Sequence, residues 1–309
     1  MARPPRPPLI HSRDGVSASC VALPAGDWPT LLDFLAQRLP ALSRAEWAKR
    51  MAAGTVLDEQ AHPLAVDSPY PRGNGQRLFY YRHVPDEAEP PLSEQVIFQD
   101  DCLVVADKPH FMPVTPGGRY VRSSLLVRLK RRLGIDTLSP LHRIDRETAG
   151  LVAFAVQPAH RDAYQALFRD RAVDKVYEAV APYRADLALP RTHRSRLAED
   201  AQRFFVSHEV PGEPNSETRI DCIVRHGALA HYRLQPITGR RHQLRVHMAA
   251  LGVPIAGDAF YPRVLRGPEE PDDPSQPLQL LARTLAFDDP VTGERRSFES
   301  RLRLHALAV

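Results

Sequence analysis

The sequence predicts an α+β protein: a small unit of two helices and a hairpin, then a larger unit built on a mostly antiparallel sheet. Three observations predict it. A chain of 309 residues is long for one domain and comfortable for two. Short apolar runs bracketed by tight turns, as at Asp100-Asp101 and His226-Gly227, recur from Val96 onward. Helical stretches are interspersed among these hairpin-joined strands, an arrangement that implies an antiparallel rather than a doubly wound sheet.

Residues 1–20 are rich in Pro and Arg with little to bury, and are expected to form a flexible tail. Thr30 is placed to cap a helix with Leu31, Phe34, Leu35 and Leu39 on one face, ended by Pro40. Ser43 and Glu46 form a capping box for a second helix, which carries Arg44, Lys49 and Arg50 and stops at Gly54. A short strand at Thr55-Val56-Leu57, a Pro/Gly loop from Pro63 to Gly75, and a strand at Leu78-Phe79-Tyr80-Tyr81 complete a domain over 21–84. The acidic, Pro-rich stretch 85–94 reads as a linker, and the larger domain takes 95–309.

That domain opens with strands at 96–98 and 102–106, followed by Asp107-Lys108-Pro109 and a flexible loop. A helix then shows Leu125, Leu126, Leu129 and Leu133 on one side and Arg128, Lys130, Arg131 and Arg132 on the other, usually a solvated face. Next come a strand at 151–156, a helix near 159–171 and a strand at 175–180. Residues 182–202 are rich in Arg, Pro and Asp and are expected to loop out. Strands at 217–225 and 228–235, a helix at 241–251 ended by Gly252, and strands near 279–287 and 295–299 finish the chain.

Composition is ordinary for a globular protein, at 43% hydrophobic and 25% charged. Net charge is +4 with a pI near 9.1, and only four of the 41 basic residues are Lys. Arg presents a planar fork suited to phosphate and to stacking on bases. Such a balance permits nucleic-acid binding; a general preference for Arg over Lys explains it equally well. Cys20, Cys102 and Cys222 are far apart, which argues against a disulfide framework or a structural zinc site. With no apolar signal core at Met1–Pro8 and no spanning stretch, the expected location is cytoplasmic.

The chain is organised around Leu141-His142-Arg143-Ile144-Asp145-Arg146-Glu147-Thr148-Ala149-Gly150-Leu151. Two Arg, a His and two carboxylates crowd a short loop that runs into the apolar 151–156. A loop leaning on a rigid strand is where reactive groups are usually held. Composition alone leaves a solvated turn equally open.

This loop resembles the signature of the RluA-type pseudouridine synthases, His-Arg-Leu/Ile-Asp followed by Thr-Ser/Ala-Gly-Leu. Two further segments are similar to the same family in the same order: Lys175-Val176-Tyr177, and Gly239-Arg240-Arg241-His242-Gln243-Leu244-Arg245-Val246-His247. The resemblance covers roughly 95–300 and implies a pseudouridine synthase fold, with a mixed, mostly antiparallel central sheet flanked by helices. The 21–84 unit resembles, more weakly, the alpha-L RNA-binding domain of such enzymes; Asp58-Glu59-Gln60-Ala61 stands where its turn often has Asn-Gly. Asp107 replaces a common Asn before Lys108-Pro109, and Leu281 and Asp289 stand at two places where His is usual. These mark a divergent subgroup.

By the resemblance Asp145 is the catalytic carboxylate, Arg245 its salt-bridge partner, and Tyr177 an aromatic face for the uracil. Arg143 would fill the gap left by a nucleotide swung out of the RNA. His142, Arg240, His242, Gln243 and Lys108 would contact or shape the RNA site, and Arg44, Lys49 and Arg50 would serve the front domain. His242 and Arg245 share a helix face. The implied reaction isomerises uridine in ribosomal RNA or tRNA without cofactor or metal, and a monomer is the expected state. His242 and His247, five apart, pair poorly on one metal. The alternative is a catalytically inactive RNA-binding relative, disfavoured because Asp145, Tyr177 and Arg245 are all present. A glycoside hydrolase would want a second placed acid, and only Glu147 is near.

Overall fold

In the computed structural model the described residues are 7, 9–71, 75–82, 87, 89–267 and 270–304. Parts of the expected tail (1–6 and 8), of the Pro/Gly loop (72–74) and of the linker (85, 86 and 88) lie outside them. The chain divides into two compact units. One holds residues 1–87, 118–122 and 127–136; the other holds 88–117, 123–126 and 137–309. The boundary therefore differs from the expected one, since two segments past residue 95 group with the N-terminal unit.

In the N-terminal unit a three-stranded antiparallel sheet carries two helices: β1 (Ser19–Ala22), α1 (Leu31–Arg38), α2 (Arg44–Ala52), β2 (Val56–Leu57) and β3 (Arg77–Tyr80), in the order β1-β3-β2. Both caps form as the sequence reads. Thr30 Oγ1 accepts from the Asp33 amide at 3.1 Å and Ser43 Oγ from the Glu46 amide at 3.2 Å. Leu32, Phe34, Leu35, Trp47, Val56 and Leu78 close the core. Burying side chains of this size contributes about 2–3 kcal/mol each before entropy is counted. The expected loose tail is corrected: β1 pairs β3 from Ser19 to Ala22, and Ile10 is buried against Leu57 and Phe79. Lys130 is corrected as well, because its ammonium is buried and donates to Ser17 Oγ at 3.0 Å instead of facing solvent.

The second unit is an eleven-stranded sheet. Its strands are β4 (Gln95–Gln99), β5 (Leu103–Lys108), β6 (Ser139–Pro140), β7 (Ala149–Ala155), β8 (Asp174–Pro182), β9 (Arg191–Glu199), β10 (Ser207–Val210), β11 (Ser216–His226), β12 (Leu229–Pro236), β13 (Leu280–Asp288) and β14 (Arg295–Glu299). The main path runs β10-β9-β11-β12-β8-β13-β7-β5-β4, with β14 on β13 and β6 on β7. Pairing is antiparallel except between β7 and β13, where Ala149 meets Leu281 and Gly150 meets Ala282. Among the described residues, α3 (Leu125–Leu133) has only its first two residues in this unit and the rest in the first unit, while α4 (Arg161–Arg169) and α5 (Gln243–Ala250) belong to this one.

The mixed sheet and its class are as the sequence predicts. Within the stretch expected to loop out over 182–202, residues 191–199 instead form β9, paired with β10 and β11. Its inward positions are His193, Ser195 and Leu197, so polar residues occupy the face where hydrophobic alternation would have marked a strand.

Gly150 shows why the central loop ends where it does. Its φ is +111°, and a Cβ there would lie 2.3 Å from the Ala282 carbonyl oxygen. Only Gly lets β7 come this close to β13 as the chain leaves the loop. Behind it, Leu103, Val105, Leu151, Ala153 and Tyr164 pack one face of the sheet, so the loop rests on a rigid base.

Candidate active site

The loop 141–148, the start of β8, and the turn into α5 line one cleft of about 1040 Å3 in the second unit. At its floor is Arg245, whose side chain is only 1% exposed. A buried guanidinium must be neutralised and hydrogen-bonded. Asp258 does most of this, receiving Nε at 2.8 Å and one terminal nitrogen at 2.7 Å in a bidentate pair. The other terminal nitrogen faces Glu147 at 3.4 Å and Asp145 at 3.5 Å. Arg245 therefore meets Asp145, as the resemblance implies, but its tightest partner is Asp258. Burial lowers the affinity of Arg245 for its proton, and the three carboxylates more than reverse this, so it stays charged throughout the working range.

Asp258 follows Gly257, which sits at φ +74° with Pro277 so near that a Cβ would lie 2.3 Å from its carbonyl oxygen. The Asp258 carboxylate also accepts from the amides of Phe260 at 2.8 Å and Tyr261 at 3.2 Å. It is thus fixed before it fixes Arg245.

Asp145 differs from Asp258 in being open to the cleft, with 27% of its side chain exposed. Burial raises its pKa, but the charges of His242, Arg245 and Lys108 outweigh this and hold it below the ordinary carboxylate value. His242 Nε2 lies 3.8 Å away. Burial pulls His242 below its own usual pKa, which leaves Arg245 as the permanent cation opposite Asp145. His242 adopts a left-handed backbone, φ +55°, at the entry to α5. Its Nδ1 is 3.0 Å from the Tyr261 hydroxyl and its ring stacks on Phe260. These contacts offset a backbone cost of about 1–2 kcal/mol.

Tyr177, on β8, lines the same cleft. Burial first and the negative charge of Asp145 second push its phenol well above the usual value, so it remains protonated. Arg143 is exposed on the cleft and has no ion-pair partner among the described residues. Arg240 is also exposed there, with Nε donating to the Asn215 carbonyl at 3.1 Å.

Three residues expected to contact or shape the RNA site act as supports. Lys108 is fully buried; its ammonium donates to the carbonyls of Pro109 at 2.9 Å and Arg146 at 3.1 Å, which stitches β5 to the loop and puts phosphate out of reach. Desolvation lowers it to about 7 despite Glu147 and Asp145 nearby. Gln243 is engaged inside the protein. Its Oε1 accepts from Thr238 Oγ1 at 2.7 Å and its Nε2 donates to the Glu217 carbonyl at 2.9 Å. His142 Nε2 accepts from the Ala153 amide at 3.2 Å while its ring stacks on Phe168, and burial lowers it to about 3. It holds the loop as a neutral ring.

In the N-terminal unit, Arg44 is exposed but pairs with Asp33 at 3.0 Å. Arg50 lies over the Trp47 ring and donates to the Tyr81 carbonyl at 3.3 Å. Lys49 is exposed.

Away from this cleft, His193, Glu209 and His247 bring donor atoms within 4.8 Å of one another, with His193 Nε2 2.7 Å from a Glu209 carboxylate oxygen. Hydrogen bonds already engage His247 on both ring nitrogens, with Thr218 at 2.9 Å and with Ser216 at 3.0 Å.

Sequence reasoning missed Asp258 and underused Glu147. The first sits in an unremarkable Pro-Ile-Ala-Gly-Asp run far from the loop, and only its position after a Gly in an apolar stretch hinted at a placed acid.

A mixed sheet with an ionised carboxylate, a buried Arg and an aromatic side chain around one cleft matches a known class. The family model described as RNA pseudouridylate synthase matches residues 102–250. An uncharacterized RNA pseudouridine synthase of Synechocystis is 31% identical over 237 residues, spanning 75% of this chain and 79% of that one. The dual-specificity RNA pseudouridine synthase RluA of Haemophilus influenzae is 32% identical over 232 residues, 70% of this chain and 97% of its own. This chain belongs to the RNA pseudouridine synthase family and is an isomerase acting on RNA. The solved structure of human RNA pseudouridylate synthase domain containing 4 is 27% identical with a TM-score of 0.53, covering 67% of this chain and 88% of that one. Human domain containing 1, at 21% identity and a TM-score of 0.56 over 70% of this chain and 86% of its own, shares the fold.

Proposed function

We propose that this chain converts chosen uridines of structured RNA to pseudouridine, with Asp145 as the catalytic carboxylate. The observation that carries the reading is the pairing of an accessible, ionised Asp145 with the buried charge of Arg245 at 3.5 Å. In the reaction the bond from C1′ to N1 breaks, the uracil turns, and C1′ joins C5. The proton leaves C5 and N1 takes one, so the product is an isomer of the substrate. An unprotonated carboxylate can attack the sugar or remove a sugar proton. Either route uses Asp145 as an anion, so its charge has to be kept while RNA closes over the cleft.

Arg245 supplies that charge balance in the proposal, and Asp258 and Glu147 keep Arg245 from swinging away. Tyr177 lies under the extruded uracil as a stacking face, and its protonated hydroxyl is a donor in proton transfer. Removing the nucleotide from its stack costs roughly a few kcal/mol. Arg143, exposed and unpaired by any acid among the described residues, takes the vacated place. The front unit serves as an alpha-L-like RNA clamp through Lys49 and, after exchange of its exposed ion pair, Arg44. The substrate is large-subunit ribosomal RNA or tRNA, and the working form is a cytoplasmic monomer. The chemistry involves neither redox change nor phosphoryl transfer and calls for no cofactor or metal.

Pseudouridines mapped in total RNA from cells with and without this gene test the proposal. At least one site should vanish in the deletion and return with the wild-type gene. Identical maps would turn the assignment toward an inactive RNA-binding relative.

A further inference from the structure

Phe204, between β9 and β10, is 71% exposed, the most exposed large hydrophobic side chain among the described residues. A phenyl ring left in water at a hairpin tip is a cost unless it has a partner. Its neighbours show where that partner would come from. The Phe204 ring meets Phe205 edge-on at 5.8 Å, and Phe205 meets Phe260 at 5.4 Å. Phe260 stacks on His242 at 5.9 Å and lies 5.0 Å under the Arg245 guanidinium. His242 in turn faces Asp145 at 3.8 Å. The aromatic series is unbroken from the solvent-exposed ring to the carboxylate, and Phe205, Phe260 and His242 all line the cleft.

The tip is also anchored. Arg241, itself on the cleft, donates to the Phe204 carbonyl. Asp200 accepts from the amides of Gln202 at 2.9 Å and Arg203 at 2.8 Å, closing the turn that presents the ring. The backbone is thus tied while the ring is left free. Arg203 and Arg241 neighbour this apolar ring in exposed ion pairs, with Asp200 at 3.1 Å and Glu199 at 3.8 Å. Pairs of this kind exchange readily for phosphate, so the tip suits an unpaired nucleobase better than it suits an apolar protein partner.

We propose that Phe204 is a stacking platform for a base flanking the target uridine, the outermost step of the aromatic series leading to Asp145. The proposal rests on the reading of the cleft as an RNA site. In it, β9 and β10 carry an aromatic contact out to single-stranded RNA beside the nucleotide being modified. Stacking is tolerant of base identity, so Phe204 would add affinity and position without dictating sequence.

The experiment uses the full chain and total RNA from cells lacking the gene. Initial rates of pseudouridine formation are measured against RNA concentration for wild type, Phe204→Ala, Phe204→Gln and Phe204→Trp, each with its melting temperature. A single-stranded oligouridylate carrying one 2-aminopurine serves as a binding probe at several salt concentrations. Phe204→Ala and Phe204→Gln should raise KM about ten-fold with kcat nearly unchanged, the size expected for one lost base–aromatic stack. Phe204→Trp should restore KM. The slope of affinity against salt should stay the same, because no phosphate contact is removed. Unchanged KM in Phe204→Ala, or a Trp variant as weak as the Ala variant, would overturn the inference while leaving the isomerase reading intact. Absence of product from the wild-type chain on this RNA would instead strike the functional reading itself.

Discussion

Arg245 meets two aspartates under opposite conditions. Asp258 is buried, grips the guanidinium through two short bonds and is saturated by backbone amides. Asp145 touches the same group at 3.5 Å, on the open side, with part of its carboxylate facing the cleft. One carboxylate is used up in holding the cation, and the other is left available by it. The reaction proposed for Asp145 needs an anion that is charged but not consumed, and dividing the work between two acids supplies one.

The contrast can be broken most severely on the buried side. Asp258→Ala removes the bidentate partner of a buried charge, and the expected cost is about 3–5 kcal/mol, read by urea denaturation. A loss below about 1 kcal/mol, the range of an exposed pair, would show that Glu147 and Asp145 suffice to neutralise Arg245. Arg245→Lys keeps a cation but loses the fork that spans Asp258 and Asp145 together. Activity should fall at least about a hundred-fold with much of the RNA binding retained; a Lys variant of near wild-type rate would mean that charge alone is needed.

Lys108 sharpens the comparison from beneath the loop. Burial lowers it from 10.5 to about 7 in the folded chain. Because the folded value lies below the unfolded one, the unfolded chain holds the proton more between the two. Stability should therefore rise with pH from about 7 toward 10.5 and be lost as pH falls back to 7. Melting temperatures of wild type and Lys108→Met should diverge by several degrees between about pH 7 and 9 in favour of wild type at the higher pH. Parallel curves would place the ammonium in contact with water.

Much of this was legible in the sequence for physical reasons. Thr30 and Ser43 are capping residues ahead of apolar faces, and both caps form. The loop 141–151 and the turn into α5 each carry their functional groups in one contiguous stretch, so motif and geometry coincide. Asp258 was illegible because its partner is thirteen residues away across a loop, and no local pattern records that meeting. β1 was hidden behind a Pro/Arg-rich start. β9 was hidden by an inward face of His193 and Ser195, whose neighbours are His247 and Ser216 and not a hydrophobic core. Lys108 misleads in the opposite sense, because a polar residue beside a functional motif serves as readily to tie the backbone as to touch a ligand.

The smallest expected effect lies at the cleft mouth. Arg143→Ala should weaken RNA binding a few-fold and leave the salt slope nearly unchanged, because its proposed place is the vacated base position and not a phosphate. A slope reduced by about one would move Arg143 onto a phosphate instead.

The most direct measurement is single-turnover formation of pseudouridine by Asp145→Ala at saturating RNA, with binding and melting temperature followed in parallel. No product should form while affinity and fold persist. Product at anything near the wild-type rate would contradict the assignment of Asp145 as the reacting carboxylate.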